Sequence, residues 1–405
     1  MSVKFRHKVV FALLRPLFRV FFFLKYGFRG KVFTKKMQKR FGVKPPFLIL
    51  GGHVSLLDCF FVSLCVRGAV YFVASDDIFA TPLLSRLMKF LVSPIAKNKG
   101  ASDLQTVKDC LEISKQGGNV GIFASGNTSY SGEEACVGSQ ISRLAKIMKC
   151  DILIFKTHGL YGVDPRWANH IRKGKCKGEI VSVINKAEAE ILTNDELQKK
   201  IVDGISFPHH CDEVLSNYKS SLRAEYLERF LFACPSCKSL NTLVSQGKLL
   251  ECNSCGMIVE YGERLNLILI KGKKCFKTLK EWHKFQISLI EELLTKTVVG
   301  KIFCDENEKL VLNQRAKRKT ILIKNATLSL FEDKIVVGNS LKKEEFMLDD
   351  IFQMAIQGRN KLIFYINGQN FQIKGNKRTN HLKYMAYFYL RKKKKGVDIG
   401  GVLEL

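Results

Sequence analysis

The N-terminal segment lacks an apolar run long enough to cross a bilayer, because its longest uncharged stretch covers only residues 9–14. A membrane-spanning helix needs about 20 predominantly apolar residues. Charges interrupt the apolar residues and no small-residue cleavage site follows them, so we expect no signal peptide. Apart from short Lys/Arg runs, the chain has no low-complexity tract and no internal repeat, which excludes a repeat protein.

Acidic residues are scarce: 37 aspartates and glutamates stand against 66 lysines and arginines, giving a formal net charge of +29 over 405 residues. Such a surface attracts phosphate, either on an anionic membrane leaflet or in a nucleic acid. No signature of a nucleic-acid-binding fold occurs in the first half, so we favour the membrane and expect no nucleic-acid partner. The length suggests two or three domains.

The cysteines indicate a reducing compartment and one metal site. Nine of the 13 cysteines lack the regular spacing of a disulfide framework, and the total of 13 is odd. The other four form two CxxC pairs, Cys234 with Cys237 and Cys252 with Cys255, separated by fourteen residues. This spacing predicts a closed, structural zinc site with four cysteine ligands on a small zinc ribbon, with a hairpin that turns at Gln246-Gly247.

A histidine and an aspartate, His53 and Asp58, follow an apolar run at residues 47–50 that predicts a buried strand. A neutral imidazole is a usable general base near pH 7, and a carboxylate on its other nitrogen fixes the tautomer. If Asp58 lies in the first turn of a following helix, it can reach back to His53. The alternative interpretation is a loop histidine beside a helix-starting aspartate.

Two further predicted strands each end at residues that can bind an anionic group. Residues 120–123 run into ASGNTSYSGE, whose hydroxyls and backbone N–H groups can bind an anionic group. Residues 92–96 end at Lys97, which Lys99 follows, and lysine binds phosphate as a point charge. A base, a cation and a donor-rich loop are therefore expected to converge at strand ends; the alternative is a set of ordinary solvated loops.

These three segments, in this order and spacing, resemble the glycerolipid acyltransferases, the family of 1-acyl-sn-glycerol-3-phosphate acyltransferases. The family's HxxxxD motif is matched by His53 and Asp58, and the basic residue of its second motif by Lys97. Its third motif, FPEGTRS or FPEGNRS, corresponds to FASGNTS here, and its fourth-motif strand to residues 152–155. The resemblance covers about residues 1–215, just over half of the chain.

The resemblance implies a histidine that takes a proton from an acceptor hydroxyl, which then attacks an acyl thioester without a catalytic cofactor. The implied substrates are acyl-CoA or acyl-carrier protein and a lysophospholipid, with 1-acyl-sn-glycerol-3-phosphate as the expected acceptor in phospholipid biosynthesis. Second- and third-motif residues would hold the acceptor phosphate. The candidate substrate-binding residues are Lys97, Lys99, Ser125, Gly126, Asn127 and Thr128.

The third motif departs from the family pattern. Ser125 stands in place of a glutamate, Ala124 in place of a proline, and Thr128 in place of an arginine. A threonine hydroxyl cannot replace the bidentate phosphate fork of an arginine. Either the acceptor differs and its phosphate binds Lys97, Lys99 or Lys156, or the protein is a catalytically inactive membrane-associated binding protein. The intact HxxxxD pair favours the first alternative.

Residues 1–30 predict an amphipathic helix that lies in the bilayer interface. Its apolar face is formed by Val9, Val10, Leu13, Leu14, Leu17, Val20, Phe21 and Leu24, opposite Lys4, Lys8, Arg15 and Arg19. The alternative is a helix packed on a soluble core. We therefore expect a peripheral protein on the cytoplasmic face of a membrane, bound to an anionic surface.

The remaining chain predicts an α/β fold followed by smaller domains. Residues 31–215 alternate strands with helices, residues 216–265 form a connector and the ribbon, and residues 188–232 look helical. Residues 296–395 resemble a pleckstrin-homology-like antiparallel β barrel closed by a helix, which could bind lipid headgroups or an unknown protein. The candidate headgroup ligands are Lys342, Lys343, Arg359, Lys361, Lys377 and Arg378.

Residues after the fourth-motif strand could line the acyl or acceptor cleft. They are Thr157, His158 and the Arg166-Trp167 pair. His158 can equally be interpreted as an ordinary loop histidine.

Overall fold

The structure is a computed structural model, and it describes residues 3, 5–75, 86, 90, 92–97, 104–126, 128–132, 137–206, 215–296, 300–313, 319–397 and 399. The chain divides into two compact units. The first contains the chain up to Pro165 together with Arg172–Tyr218, and the second contains Arg166–Ile171 together with Lys219–Leu403.

The first unit alternates strands and helices, as the sequence predicted. Its strands are β1 (Phe28–Gly30), β2 (Phe47–Gly51), β3 (Val70–Ser75), β4 (Ile95–Lys97), β5 (Asn119–Phe123), β6 (Asp151–His158) and β7 (Cys176–Ile184). Its described helices are α1 (Phe5–Tyr26), α2 (Lys35–Arg40), α3 (Asp58–Cys65), α4 (Leu104–Lys115), α5 (Gln140–Met148), α6 (Leu160–Val163), α7 (Lys186–Ile191) and α8 (Asn194–Ile205). The α/β class is confirmed.

These strands form one sheet in the order β1-β7-β6-β2-β5-β3-β4, and every neighbouring pair except β6 and β7 is parallel. All residues of β2 are buried, and a continuous apolar run is what a strand covered on both faces requires. Gly51 at the end of β2 pairs with Phe123 at the end of β5. The loops that follow these two strands therefore start side by side.

Helix α1 packs on α3 through arginine and aromatic side chains. Arg15 donates to the carbonyl oxygens of Ser63 and Val66 at 3.0 and 2.8 Å. Carbonyl groups at a helix C-terminus lack intrahelical partners and carry the negative end of the helix dipole, so a guanidinium group fits there. The ring of Phe22 contacts that of Phe61 edge-on, with 4.9 Å between centroids.

The second unit contains two antiparallel sheets. Its strands are β8 (Leu243–Gln246), β9 (Leu249–Cys252), β10 (Ile258–Tyr261), β11 (Leu267–Lys271), β12 (Phe303–Asn313), β13 (Thr320–Leu330), β14 (Lys334–Gly338), β15 (Lys343–Met347), β16 (Gln353–Gln357), β17 (Lys361–Ile366) and β18 (Gln369–Lys374). Its helices are α9 (Leu279–Leu294), α10 (Leu382–Lys394) and the 3-10 helix Leu227–Arg229. The sheet orders are β11-β10-β9-β8 and β15-β14-β13-β12-β18-β17-β16.

The predicted C-terminal antiparallel β domain is thus confirmed, whereas its resemblance to pleckstrin-homology barrels stays a prediction. The prediction of a helical connector over residues 188–232 is wrong for its last part. From residue 215 to 232 the chain is irregular except for Leu227–Arg229. Phe230, Leu231 and Phe232 are fully buried there, so tertiary packing overrides the local helical preference.

Candidate active site and cysteine cluster

The structure brings His53 and Asp58 together. The Nδ1 atom of His53 lies 2.8 Å from Oδ2 of Asp58. The imidazole keeps 19% of its surface exposed, whereas the carboxylate keeps 1%. Asp58 is the first residue of α3, which places its side chain beside the preceding loop, as the spacing predicted. An imidazole that is partly open to solvent therefore rests on a buried carboxylate.

The hydrogen bonds around Asp58 define the tautomer of His53. Oδ2 of Asp58 also accepts the backbone N–H groups of Val54 and Ser55, at 2.8 and 3.0 Å. An oxygen that takes two backbone donors acts as an acceptor, so the proton of the third bond belongs to Nδ1 of His53. Burial raises the pKa of the Asp58 carboxyl, while the hydrogen bonds from His53, Ser55 and Val54 act to lower it. The Nε2 atom of His53 is left with a lone pair that can accept a proton.

The loop after β5 packs directly against the histidine. The ring of Phe123 stacks on the imidazole of His53, with 4.8 Å between centroids and 14° between planes. The N–H of Ser129 donates to the carbonyl oxygen of His53 at 2.8 Å, and that of Ala124 donates to Gly51 at 3.1 Å. Phe123, Ala124 and Ser129 therefore contact the segment that holds the base.

The predicted substrate-binding residues have different environments. Lys99 and Asn127 lie outside the described residues. Ser125 is half-buried and Gly126 is exposed, whereas Thr128 is 4% exposed. Gly126 adopts φ +68°, and its N–H is bonded within its own turn at 3.0 Å, so this amide is not available to an oxyanion. The substrate-binding role of these residues stays a prediction.

Lys97 is an exposed residue at the end of β4. Strands β5 and β3 lie between β4 and β2 in the sheet. Because neighbouring strands are about 4.8 Å apart, β4 lies roughly 14 Å from the strand that leads to His53. Lys97 and His53 therefore follow strands that are not neighbours in the sheet.

Arg166 and Trp167 make their described contacts apart from the His53–Asp58 pair. Both belong to the second unit, where Trp167 is fully buried and Arg166 donates to the carbonyl oxygen of Ile356 at 2.7 Å. The expectation that this pair lines an acyl or acceptor cleft stays a prediction. In the first unit, Nε2 of His158 lies 4.0 Å from a carboxylate oxygen of Glu179.

The four cysteines of the CxxC pairs form a cluster. Sγ of Cys234 lies 3.7 Å from that of Cys255, Sγ of Cys237 lies 3.8 Å from that of Cys252, and all four atoms lie within 4.8 Å of one another. A tetrahedral site with Zn–S bonds of about 2.3 Å requires S···S distances of about 3.8 Å. The turn between β8 and β9 falls at Gly247, with φ +60°, as the sequence predicted. The donor set fits a tetrahedral cation.

The other described cysteines are free thiols. Cys59 follows Asp58 in the chain, and burial raises the pKa of its thiol to about 12. Burial likewise raises the pKa of Cys65, Cys110 and Cys176 to about 12. These thiols stay protonated near neutral pH and are poor nucleophiles.

The surface of α1 that faces away from α3 is apolar. Leu13, Leu17 and Leu24 are 67, 66 and 76% exposed, and Val20 and Phe21 extend the same stripe. Isolated exposed apolar residues are ordinary, whereas a contiguous stripe indicates an interaction surface. Among the helices that the structure describes, none is both long and apolar enough to cross a membrane.

Three of the predicted headgroup ligands in the C-terminal β domain have acidic partners among the described residues. Lys342 pairs with Glu344 at 3.3 Å and Lys343 with Glu345 at 2.5 Å, while Arg378 pairs with two glutamates. A ligand phosphate would have to displace these carboxylates, which weakens the three residues as candidates.

Comparison with known proteins gives a family match within the first unit. Residues 32–155 match the family model named Acyltransferase, and this stretch contains His53, Asp58, Lys97 and the loop after β5. The match supports an acyltransferase for this part of the chain. Among solved structures, the chain is similar to the 1-acyl-sn-glycerophosphate (LPA) acyltransferase PlsC from Thermotoga maritima, with 16% identity, 49% of this chain and 78% of that chain covered, and a TM-score of 0.40. No curated protein matches the chain.

Proposed function

We propose that this protein transfers a fatty acyl group from acyl-CoA or acyl-carrier protein to the hydroxyl of a lysophospholipid, with 1-acyl-sn-glycerol-3-phosphate as the leading acceptor. The observation that carries the proposal is the His53–Asp58 pair. Its imidazole is partly exposed, its Nδ1 is bound by a buried carboxylate, and it lies within the stretch that matches the Acyltransferase model.

The pair supports direct transfer by general base catalysis. Nε2 of His53 takes the proton of the acceptor hydroxyl while the hydroxyl oxygen attacks the thioester carbonyl carbon. The tetrahedral intermediate then collapses, the C–S bond breaks, and the imidazolium returns its proton to the leaving thiolate. Asp58 holds the imidazole in the correct tautomer and stabilises the imidazolium. Desolvation raises the pKa of the Cys59 thiol to about 12, which disfavours the thiolate that an acyl carrier would need.

We also propose a membrane location, which the chemistry of the proposed acceptor and the exposed face of α1 support. The exposed stripe of Leu13, Leu17 and Leu24 would enter the bilayer interface, and the net charge of +29 would attract the anionic cytoplasmic leaflet. Arg15 stays bound to carbonyl groups at the end of α3, which orients the apolar stripe away from the protein. This docking would bring the site to its lipid substrate.

The cysteine cluster is proposed to hold one structural zinc ion through Cys234, Cys237, Cys252 and Cys255. A closed four-thiolate site has no open coordination position, so the ion would supply stability and no catalytic step. It would stabilise the ribbon formed by β8 to β11. The C-terminal β domain is proposed to bind lipid headgroups or a protein partner.

The second candidate function is an inactive membrane-associated binding protein. The altered FASGNTS segment supports it, since Ser125 and Thr128 replace residues that the acyltransferase motif uses. The hydrogen-bonded geometry of His53 and Asp58 supports the active protein.

A lipid acylation assay tests the proposal. Labelled acyl-CoA and, in parallel, labelled acyl-carrier protein are offered with a panel of lysolipids to the wild-type protein, to Asp58→Asn, and to the matched control Asp195→Asn, which changes an exposed carboxylate on α8. We expect transfer to at least one lysolipid, a loss of roughly 100- to 10,000-fold in Asp58→Asn, and wild-type activity in the control. A folded wild-type protein that acylates no lysolipid from either acyl-CoA or acyl-carrier protein would favour the inactive candidate.

A further inference from the structure

The loop that carries His53 starts α3 without a side-chain cap. Leu57 occupies the N-cap position and makes no side-chain hydrogen bond to the helix, although the first N–H groups of a helix need acceptors. Ser55 supplies them instead. Its carbonyl oxygen accepts the N–H of Asp58, and its Oγ accepts the N–H of Leu57, both at 3.2 Å. The start of α3, and with it the position of Asp58, therefore depends on Ser55.

Ser55 also contacts the acidic side chain of the catalytic pair. Its backbone N–H donates to Oδ2 of Asp58 at 3.0 Å, and the same oxygen accepts the Nδ1 proton of His53. One of the three hydrogen bonds that stabilise this oxygen is thus set by the orientation of Ser55.

Asp164 binds the hydroxyl of Ser55 from another part of the first unit. Oγ of Ser55 donates to Oδ2 of Asp164 at 3.1 Å, and the two residues are 1% and 4% exposed. A hydrogen bond to an ionised acceptor is roughly twice as strong as one between neutral groups. Asp164 directly follows α6, and its N–H donates to the carbonyl oxygen of Leu160 at 2.8 Å, which fixes its backbone. Tyr161 of α6 donates to the carbonyl oxygen of Tyr130 at 2.7 Å.

We propose that Asp164, acting through Ser55, is a positioning residue for the His53–Asp58 pair. The inference rests on the proposed function, because it concerns the same general base. If the acceptor at Asp164 is removed, the buried Ser55 hydroxyl loses its partner and the loop relaxes. The N–H of Ser55 then turns away from Asp58, whose ionised form is less favoured once it loses a donor. The Nδ1–H tautomer of His53 loses stabilisation as a result.

Nitrogen-15 NMR of the histidine rings tests this role without any substrate. The His53 signals are assigned by their absence in His53→Gln. We expect the proton on Nδ1 in the wild-type protein and a measurable fraction on Nε2 in Ser55→Ala and Asp164→Ala. Asp164→Asn keeps an amide oxygen that accepts from Ser55, so it should retain the wild-type tautomer. The control Ser142→Ala removes another buried hydroxyl, which donates to the carbonyl oxygen of Ser139 at 3.0 Å.

Kinetics supply the second measurement. In Ser55→Ala and Asp164→Ala, kcat should fall roughly 10- to 100-fold while KM stays within about threefold, because the base is misplaced and the substrate contacts remain. An unchanged His53 tautomer in folded Ser55→Ala and Asp164→Ala overturns the proposal, and so does an Asp164→Asn protein that behaves like Asp164→Ala.

Two further outcomes have to be distinguished: a variant that does not fold, and a wild-type protein that transfers no acyl group. If Asp164→Ala does not fold, Ser55→Ala decides the outcome alone, because it removes a single oxygen atom. A wild-type protein without acyl transfer, combined with a tautomer shift in the variants, rejects the proposed function and supports the positioning of His53.

Discussion

Replacement of the exposed leucines of α1 should detach the protein from anionic membranes. The perturbation is the triple variant Leu13→Gln, Leu17→Gln and Leu24→Gln, whose side chains are two thirds to three quarters exposed. Full burial of a leucine side chain is worth about 1.5–3 kcal/mol, so removal of these exposed portions from water contributes about 1–2 kcal/mol each. The triple variant therefore loses at least about 3 kcal/mol of binding free energy. This loss corresponds to a decrease of roughly 100-fold in the partition coefficient.

The assay is co-sedimentation of purified protein with vesicles that contain phosphatidylglycerol, at a fixed salt concentration. The matched controls are Ile191→Gln and Leu341→Gln, which change apolar residues that are 85 and 93% exposed elsewhere in the chain. The free energy of unfolding should change by no more than about 0.5 kcal/mol per substitution, since all these side chains face solvent. A triple variant that binds vesicles within about threefold of wild type would refute the docking of α1, and so would controls that lose binding equally.

Two further variants test contacts that the structure shows. Arg15→Gln removes a guanidinium that donates to carbonyl groups at the end of α3, so it should lower the free energy of unfolding by about 2–4 kcal/mol in denaturant titrations. The exposed control Arg143→Gln should change it little; equal stability of both variants would show that the Arg15 contacts are unimportant. Metal analysis of the purified protein should find about one zinc per chain, which Cys252→Ser should lose and Cys275→Ser should retain. A fully folded, zinc-free wild-type protein would contradict the zinc ribbon.

The parts of the site that the sequence predicted are local. His53 and Asp58 are five residues apart, so a strand, a short loop and a helix start are enough to bring them together. The CxxC pairs are also local, and the hairpin that turns at Gly247 brings the two pairs together. In both cases the residue types and their spacing are enough to predict which side chains lie close together.

The parts that the sequence could not predict depend on long-range contacts. Ser55 and Asp164 are 109 positions apart, and neither the HxxxxD motif nor the apolar periodicity connects them. The position of Lys97, two strands beyond β5, follows from the order of a parallel sheet, which local patterns do not encode. Strand β16 at the edge of its sheet was not predicted either, because its short segment is defined by pairing with β17.

Helix α1 illustrates a prediction that was correct in one respect and incomplete in another. The helical wheel placed apolar and basic residues on opposite faces, and the structure exposes most of the apolar face. It did not predict that Arg15 and Arg19 would bind carbonyl groups at the end of α3. A periodic pattern separates two faces, but only the acceptors in space decide which face contacts protein.

His53 is proposed to remove the proton of the acceptor hydroxyl, and comparison of kcat/KM for the wild-type protein and His53→Ala tests this step most directly. With the best lysolipid acceptor, we predict a loss of roughly 100- to 10,000-fold in His53→Ala and none in His170→Ala, which alters an exposed histidine of the second unit. A folded His53→Ala protein that retains activity within about tenfold of wild type would contradict the account.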